Sequence, residues 1–200
     1  MLFSATFPVA VRKLARSHLA ESHIRVRVGR VGSTHQNIAQ DVIFTDPAEK
    51  KRCLLDLLRS MKPARTIIFV NSKQTADEID DYLFHNDFPS TSMHGDRTQR
   101  EREDSMRAFR SGKAPIMVAT GLSARGIDVR NVGHVVNYDL PSMEHGGIQE
   151  YIHRIGKKHV VFLHTNQDLA NYEQVVLAAL ATVVPPLLST LREMSPSRLF

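Results

Sequence analysis

Apolar and polar positions along this chain alternate between two periods. TIIFVN (66–71), IMVAT (116–120) and HVVFLHT (159–165) are short, nearly unbroken apolar runs bounded by polar or turn-forming residues. Runs of this length read as strands buried on both faces of a parallel sheet. DVIFT (41–45), STSMH (90–94) and HVVNYD (134–139) add three more strands. Between them the period becomes helical. Residues 47–61 form one such segment, with Pro47 near its first turn. Ser72 can cap the next helix, whose Ala76, Ile79 and Leu83 share a stripe. A third helix starts near Gln99 and carries Met106 and Phe109, and a fourth is marked by Ile148, Tyr151, Ile152 and Ile155. A closing helix is predicted from about residue 167 to 183. Strands alternating with helices imply right-handed crossovers, so residues 41–200 are expected to form an α/β domain with a doubly wound parallel sheet.

Residues 1–33 follow a different plan. A helical stretch from Val9 to Leu19 is followed by IRVRV (24–28), which alternates apolar and basic residues as a half-buried strand does. One helix and one or two strands cannot close a core, so this segment reads as the remnant of a first domain. The polar, turn-rich residues 34–40 are the expected linker.

Composition narrows the class without settling it. With 42% hydrophobic and 24% charged residues in 200, the chain can build a substantial globular core. A net charge of +5 favours polyanionic partners, and is equally compatible with a merely basic cytosolic protein. Cys53 is the one cysteine and lies in a helical pattern, which excludes a disulfide framework. The start has no secretory pattern, and the apolar run near the end is broken by Pro185 and Pro186. An intracellular location without membrane contact is expected.

The candidate chemistry gathers where strands end. In open parallel sheets, ligands bind outside the carboxyl ends of the strands. Thr120 and Gly121 combine a strand end, a hydroxyl, a glycine and a helix start, which suits phosphate. Arg125, Gly126 and Asp128 follow closely, although Asp128 could equally shape a turn. In HGDRTQRERED (94–104), Gln99 and Arg102 extend the stripe of Met106 and Phe109 into the first helical turn. That placement suits a site, whereas the neighbouring charges suit a solvated helix face. Asn71 also stands at a strand end. His153 and Arg154 fall away from the apolar stripe of their helix, a position ordinary for surface residues. No His, Cys or carboxylate set has metal-ligand spacing.

Taken together, SAT (4–6), IIFVNSK (67–73), HGDRTQRER (94–102), VATGLSARGID (118–128) and YIHRIG (151–156) resemble the ordered motifs of DEAD-box RNA helicases, the Vasa-like branch in particular. The resemblance covers nearly the whole chain and implies the C-terminal RecA-like lobe of such an enzyme. In that family two lobes clamp ATP, with Mg²⁺, and single-stranded RNA with little sequence preference. By resemblance, Asn71, Gly95, Gln99, Arg102, Thr120 and Gly121 face RNA. Gly126 and Asp128 face the nucleotide, and Ser4 and Thr6 belong to interlobe coupling. Arg125 resembles the arginine that joins the closed lobes, and His153 and Arg154 belong to the family's last motif.

The chain departs from the family in two places. No G-x-x-x-x-G-K-[ST] and no D-E-A-D occurs in these 200 residues. The last motif, HRIGRTGR or HRIGRTAR in the family, places arginine fingers at its fifth and eighth positions. Here Lys157 and Val160 stand there, as though RTARIG had been lost between two copies of RIG. The expectation is a folded lobe without ATPase activity that does not hold ATP tightly by itself. A non-enzymatic RNA- or protein-binding module, or an incomplete gene model, remains the alternative.

Overall fold

The computed structural model describes residues 9–20, 22–24, 26, 39–124, 129, 131–141, 144, 147–154 and 159–165. After helix α1 (Val9–His18), the chain forms β1 (Ala39–Phe44), a 3₁₀ turn and α2 (Lys50–Ser60), β2 (Arg65–Val70), α3 (Lys73–Phe84) and β3 (Ser90–Met93). It continues through α4 (Gln99–Ser111), β4 (Ile116–Thr120), a short α5 (Gly121–Ala124), β5 (Val132–Asn137), α6 (Gly147–Arg154) and β6 (His159–His164). The six strands form one sheet in the order β1-β6-β5-β2-β4-β3, and every pair is parallel. The predicted strands and crossover helices are therefore present. The closing helix expected at 167–183 lies outside the described residues.

Period-two alternation divides the core between the two faces of the sheet. Ile67, Phe69, Met117, Ala119, Val135 and Val160 pack with Phe109 of α4 and Tyr151 of α6. Ile68, Val70, Val118, Val136 and Leu163 face the opposite way, against Leu54 and Leu55 of α2 and Ala76, Ile79 and Leu83 of α3. Covering both faces is what makes β2 and β4 nearly continuous apolar runs rather than alternating ones. Cys53 packs beside the second cluster, and burial raises its thiol pKa, as suits a packing residue.

Helix ends follow the local chemistry. Ser72 Oγ accepts the Thr75 N–H at 2.9 Å, as its capping position predicts. Thr98 and Glu101 form a reciprocal capping box at the start of α4. Gly112 ends that helix at φ 81°, a left-handed conformation that costs glycine least.

Two boundaries differ from the sequence reading. The strand β1 begins at Ala39, two residues inside the expected linker. Its first turn toward the core is secured by Tyr151 Oη, which donates to Gln40 Oε1 at 2.6 Å. At the N-terminal end, Ile24 and Val26 lie in no strand and are 89% and 80% exposed. An alternating pattern forms a strand only beside a partner, and no strand described in the sheet comes from residues 1–33. Among the described residues, no helix is long and apolar enough to cross a membrane.

Removing residues 1–33 is expected to preserve a single cooperative unfolding transition and to reduce self-association, because exposed apolar side chains promote both sticking and misdocking. Denaturant titration and light scattering of the full and shortened chains check this; loss of cooperativity would place the segment in the core.

Candidate nucleic-acid interface

Parallel pairing carries the ends of all the strands to one edge of the sheet. The register aligns Val70 with Thr120 and Met93 with Ala119, which sets Asn71, His94 and Gly121 in a row just beyond it. Phe69 is aligned with Asn137, so Tyr138 and Asp139 emerge beside Asn71. Arg102 and Gln99 lie in the first turns of α4, which leaves this edge after β3.

Asp139 organises the centre of the edge. Its Oδ2 accepts the Asn71 N–H at 2.9 Å, and its Oδ1 lies 3.2 Å from Lys50 Nζ. That ammonium also sits 4.6 Å from the Tyr138 ring centroid. Burial, aided by the Asp139 carboxylate, pushes the Tyr138 phenol well above its ordinary range, so it stays neutral. Asn71 Nδ2 donates to the Leu140 carbonyl at 2.6 Å. The Asn71 amide thus ties the ends of β2 and β5 together, alongside any contact it offers a ligand.

Arg154 completes the network from α6. Sequence placed it off the apolar stripe, yet only 2% of it is exposed. Its long side chain folds inward: Nη1 donates to the Asp139 carbonyl at 2.9 Å, and Nε lies 3.5 Å from Glu150 Oε1. The guanidinium is 4.9 Å from the Phe69 ring centroid and 3.5 Å from Asn71 Oδ1. Burial lowers its pKa, and the Glu150 carboxylate works against that shift. His153 points outward, 3.9 Å from the other Glu150 oxygen.

Gly121 shows why this pair can close. A Cβ there would overlap the Glu150 carboxylate and stand 3.0 Å from Arg154 Nη2. The glycine therefore has a packing reason that its motif position did not reveal. Thr120 Oγ1, half-buried next to it, donates to Ser123 Oγ at 3.1 Å.

The two α4 candidates separate. Gln99 is exposed and donates to Glu103 at 2.8 Å, so it belongs to the helix surface rather than the apolar stripe. Arg102 is half-buried, and its Nε is shielded from solvent without a hydrogen-bond partner among the described residues. Gly95 is exposed at the turn after β3, where Lys73 and Asp96 form an ion pair beside it. Ser4, Thr6, Arg125, Gly126 and Asp128 lie outside the described residues. Val160 is fully buried in β6.

Sequence reasoning missed Glu150, Asp139 and Lys50. The i,i+4 spacing of Glu150 and Arg154 was the available signal for the first. Among the described residues, no group of three or more His, Cys, Asp or Glu side chains could hold a metal ion.

The fold and its loaded strand edge define a RecA-like helicase lobe. Residues 49–161 match the family described as helicase conserved C-terminal domain, and the chain belongs to that family. The C-terminal domain of the DEAD-box protein Dbp5 is similar at 30% identity and a TM-score of 0.63, over 73% of this chain and 85% of that one. E. coli DEAD-box protein SrmB, solved bound to a regulator of ribonuclease activity, is 29% identical over 69% of this chain and 84% of that one, with a TM-score of 0.62. S. cerevisiae Dbp5 bound to RNA and ADP BeF3 is 28% identical with a TM-score of 0.73; the match covers 91% of this chain and 48% of that one. This chain thus spans about half the length of that protein.

Gly121→Ala is expected to cost about 1–3 kcal/mol of stability, since the buried pair cannot retreat without leaving its partners. In a Glu150→Ala background the same substitution should cost less. Urea midpoints of the four chains in this cycle measure both effects.

Proposed function

We propose that this chain is the RNA-binding C-terminal lobe of an ATP-dependent DEAD-box RNA helicase, and that as a single polypeptide it binds single-stranded RNA without hydrolysing ATP. Within the family its motif strings resemble the Vasa-like branch most closely. The observation that carries the reading is Arg102: a cation in the first turns of α4, beside the strand edge, whose buried Nε finds no partner among the described residues. Buried polar groups are normally satisfied, so an unpaired guanidinium nitrogen at a ligand edge is suited to a phosphate oxygen. Gly95, Thr120 and Gly121 stand on the same edge, and their motif positions support the same use. Gln99 and Asn71 would contribute from the roles already described. Support for RNA as the polyanion comes from the family and from the RNA-bound relative.

RNA would be gripped through its backbone, so affinity should vary little with sequence and fall steeply with salt. Arg102→Ala should weaken binding about equally across sequences and make the salt slope shallower by roughly 1 unit or less. Fluorescence titrations of labelled single-stranded RNA over a range of salt measure both quantities. Unchanged affinity and slope would make Arg102 purely structural.

Hydrolysis requires parts that these 200 residues lack. Lys157 and Val160 occupy the finger positions, and neither phosphate loop nor D-E-A-D sequence is present. Arginine fingers alone contribute ~10³–10⁵ in rate. Turnover assays of this polypeptide should therefore show no RNA-stimulated ATP hydrolysis; stimulation above a mock purification would refute the assignment of an inactive lobe.

A further inference from the structure

A second polar cluster lies at the β3 end of the same edge, separated from Asp139 by β2 and β4, and it joins His94 and Arg97 of the HGDRTQRER string to a residue of α3. It centres on Asp77 of α3. One oxygen of this carboxylate, Oδ1, meets three donors: His94 Nε2 at 2.9 Å, Arg97 Nη2 at 2.8 Å and Ser92 Oγ at 3.2 Å. Arg97 Nη2 also donates to Ser92 Oγ at 2.8 Å. Ser92 and His94 are buried at the end of β3, whereas the Asp77 side chain is half exposed. The Nδ1 of His94 is buried without a partner among the described residues, so the Nε2 contact is the bond that fixes the ring.

These contacts bracket one loop. Residues 94–98 join β3 to α4 and include Gly95, and they lead directly into the helix that carries Arg102. His94 anchors the beginning of the loop to Asp77, and Arg97 anchors its end to the same oxygen. The Arg97 N–H donates to the His94 carbonyl at 3.2 Å, and Arg97 also lies 3.8 Å from Glu101 of the capping box. Burial works against charge on Asp77, but the His94 hydrogen bond and the charges of His94 and Arg97 hold its pKa below the ordinary carboxylate value.

We propose that Asp77, His94 and Arg97 are positioning residues that hold the β3–α4 loop in the shape that receives RNA phosphates. The proposal rests on the RNA-binding reading above. It has an unusual electrostatic consequence. A carboxylate near a polyanion's path should weaken binding, so removing it should strengthen binding if charge alone matters. Removing Asp77 would also free Arg97 to meet phosphate directly. Positioning predicts the opposite sign, because a loop released from its anchors loses the alignment of its backbone with the phosphates.

The experiment compares Asp77→Ala with Glu78→Ala, an exposed neighbour carrying the same charge, in RNA titrations well below the unfolding midpoint. Asp77→Ala is expected to weaken binding roughly three- to tenfold, on the scale of one lost phosphate contact, while Glu78→Ala leaves it unchanged or tightens it. Equal or tighter binding by Asp77→Ala overturns the proposal. His94→Gln and His94→Asn supply an independent reading should Asp77→Ala fold poorly. Glutamine can present an N–H near the place of Nε2, and asparagine is too short. Gln should therefore retain wild-type affinity and Asn lose it; equal behaviour of the two overturns the proposal. Failure of the RNA reading itself would appear as no saturable binding by the wild type. Hydrogen exchange at the Arg97 amide then still decides the positioning claim: it should accelerate in Asp77→Ala or His94→Asn relative to Glu78→Ala, and no acceleration rejects it.

Discussion

Parallel pairing constrains everything else in this domain. Each strand of a parallel sheet must return through a crossover, so helices cover both faces and all strand ends collect on one edge. The apolar faces of β2, β4 and β5 are consumed by α2 and α3 on one side and α4 and α6 on the other. Polar residues have no place within those layers except at the ends. The edge is accordingly where Asn71, His94, Thr120 and Asp139 accumulate, and where a ligand can meet them.

An edge crowded with polar groups has to be held together by something other than hydrophobic contact. Asp139 does this near the sheet's centre by joining the end of β2, the ammonium of Lys50 and, through its carbonyl, the guanidinium of Arg154. Arg154 and Glu150 are both buried, so each depends on the other to offset its lost hydration. Replacing such a pair with apolar residues can be neutral, but removing one member strands a charge in the interior. Gly121 is tied to the same arrangement, since its missing side chain is the space that the Glu150 carboxylate fills. Gly121 and helix α6 thereby share one packing constraint.

Much of the fold was legible because its signals are local. Strand length, helical stripes and the Ser72 cap depend on residues within a few positions of one another. Of the strand expected at 24–28, Ile24 and Val26 are the described residues, and neither lies in a strand. Ile24 and Val26 have the right alternation, but pairing needs a neighbour that the pattern cannot supply. Arg154 shows another limit of local pattern: its spacing from the apolar stripe suggested the surface, whereas its length lets the charge reach back to the interior.

By itself, the sequence determined the strands of the sheet and the helices that cover it, that the sheet is parallel, and which polar residues stand at strand ends, since each follows from periodicity and local turn chemistry. Tertiary structure alone decided which of those polar residues are spent on holding the edge. Lys50 meets Asp139 across 89 positions, and Asn71 meets Arg154 across 83. Arg102, a few ångströms of backbone from similar charges, is left with an unpaired buried nitrogen. Partners so distant in the chain meet only after strand register and helix packing are set, and no local pattern encodes that geometry.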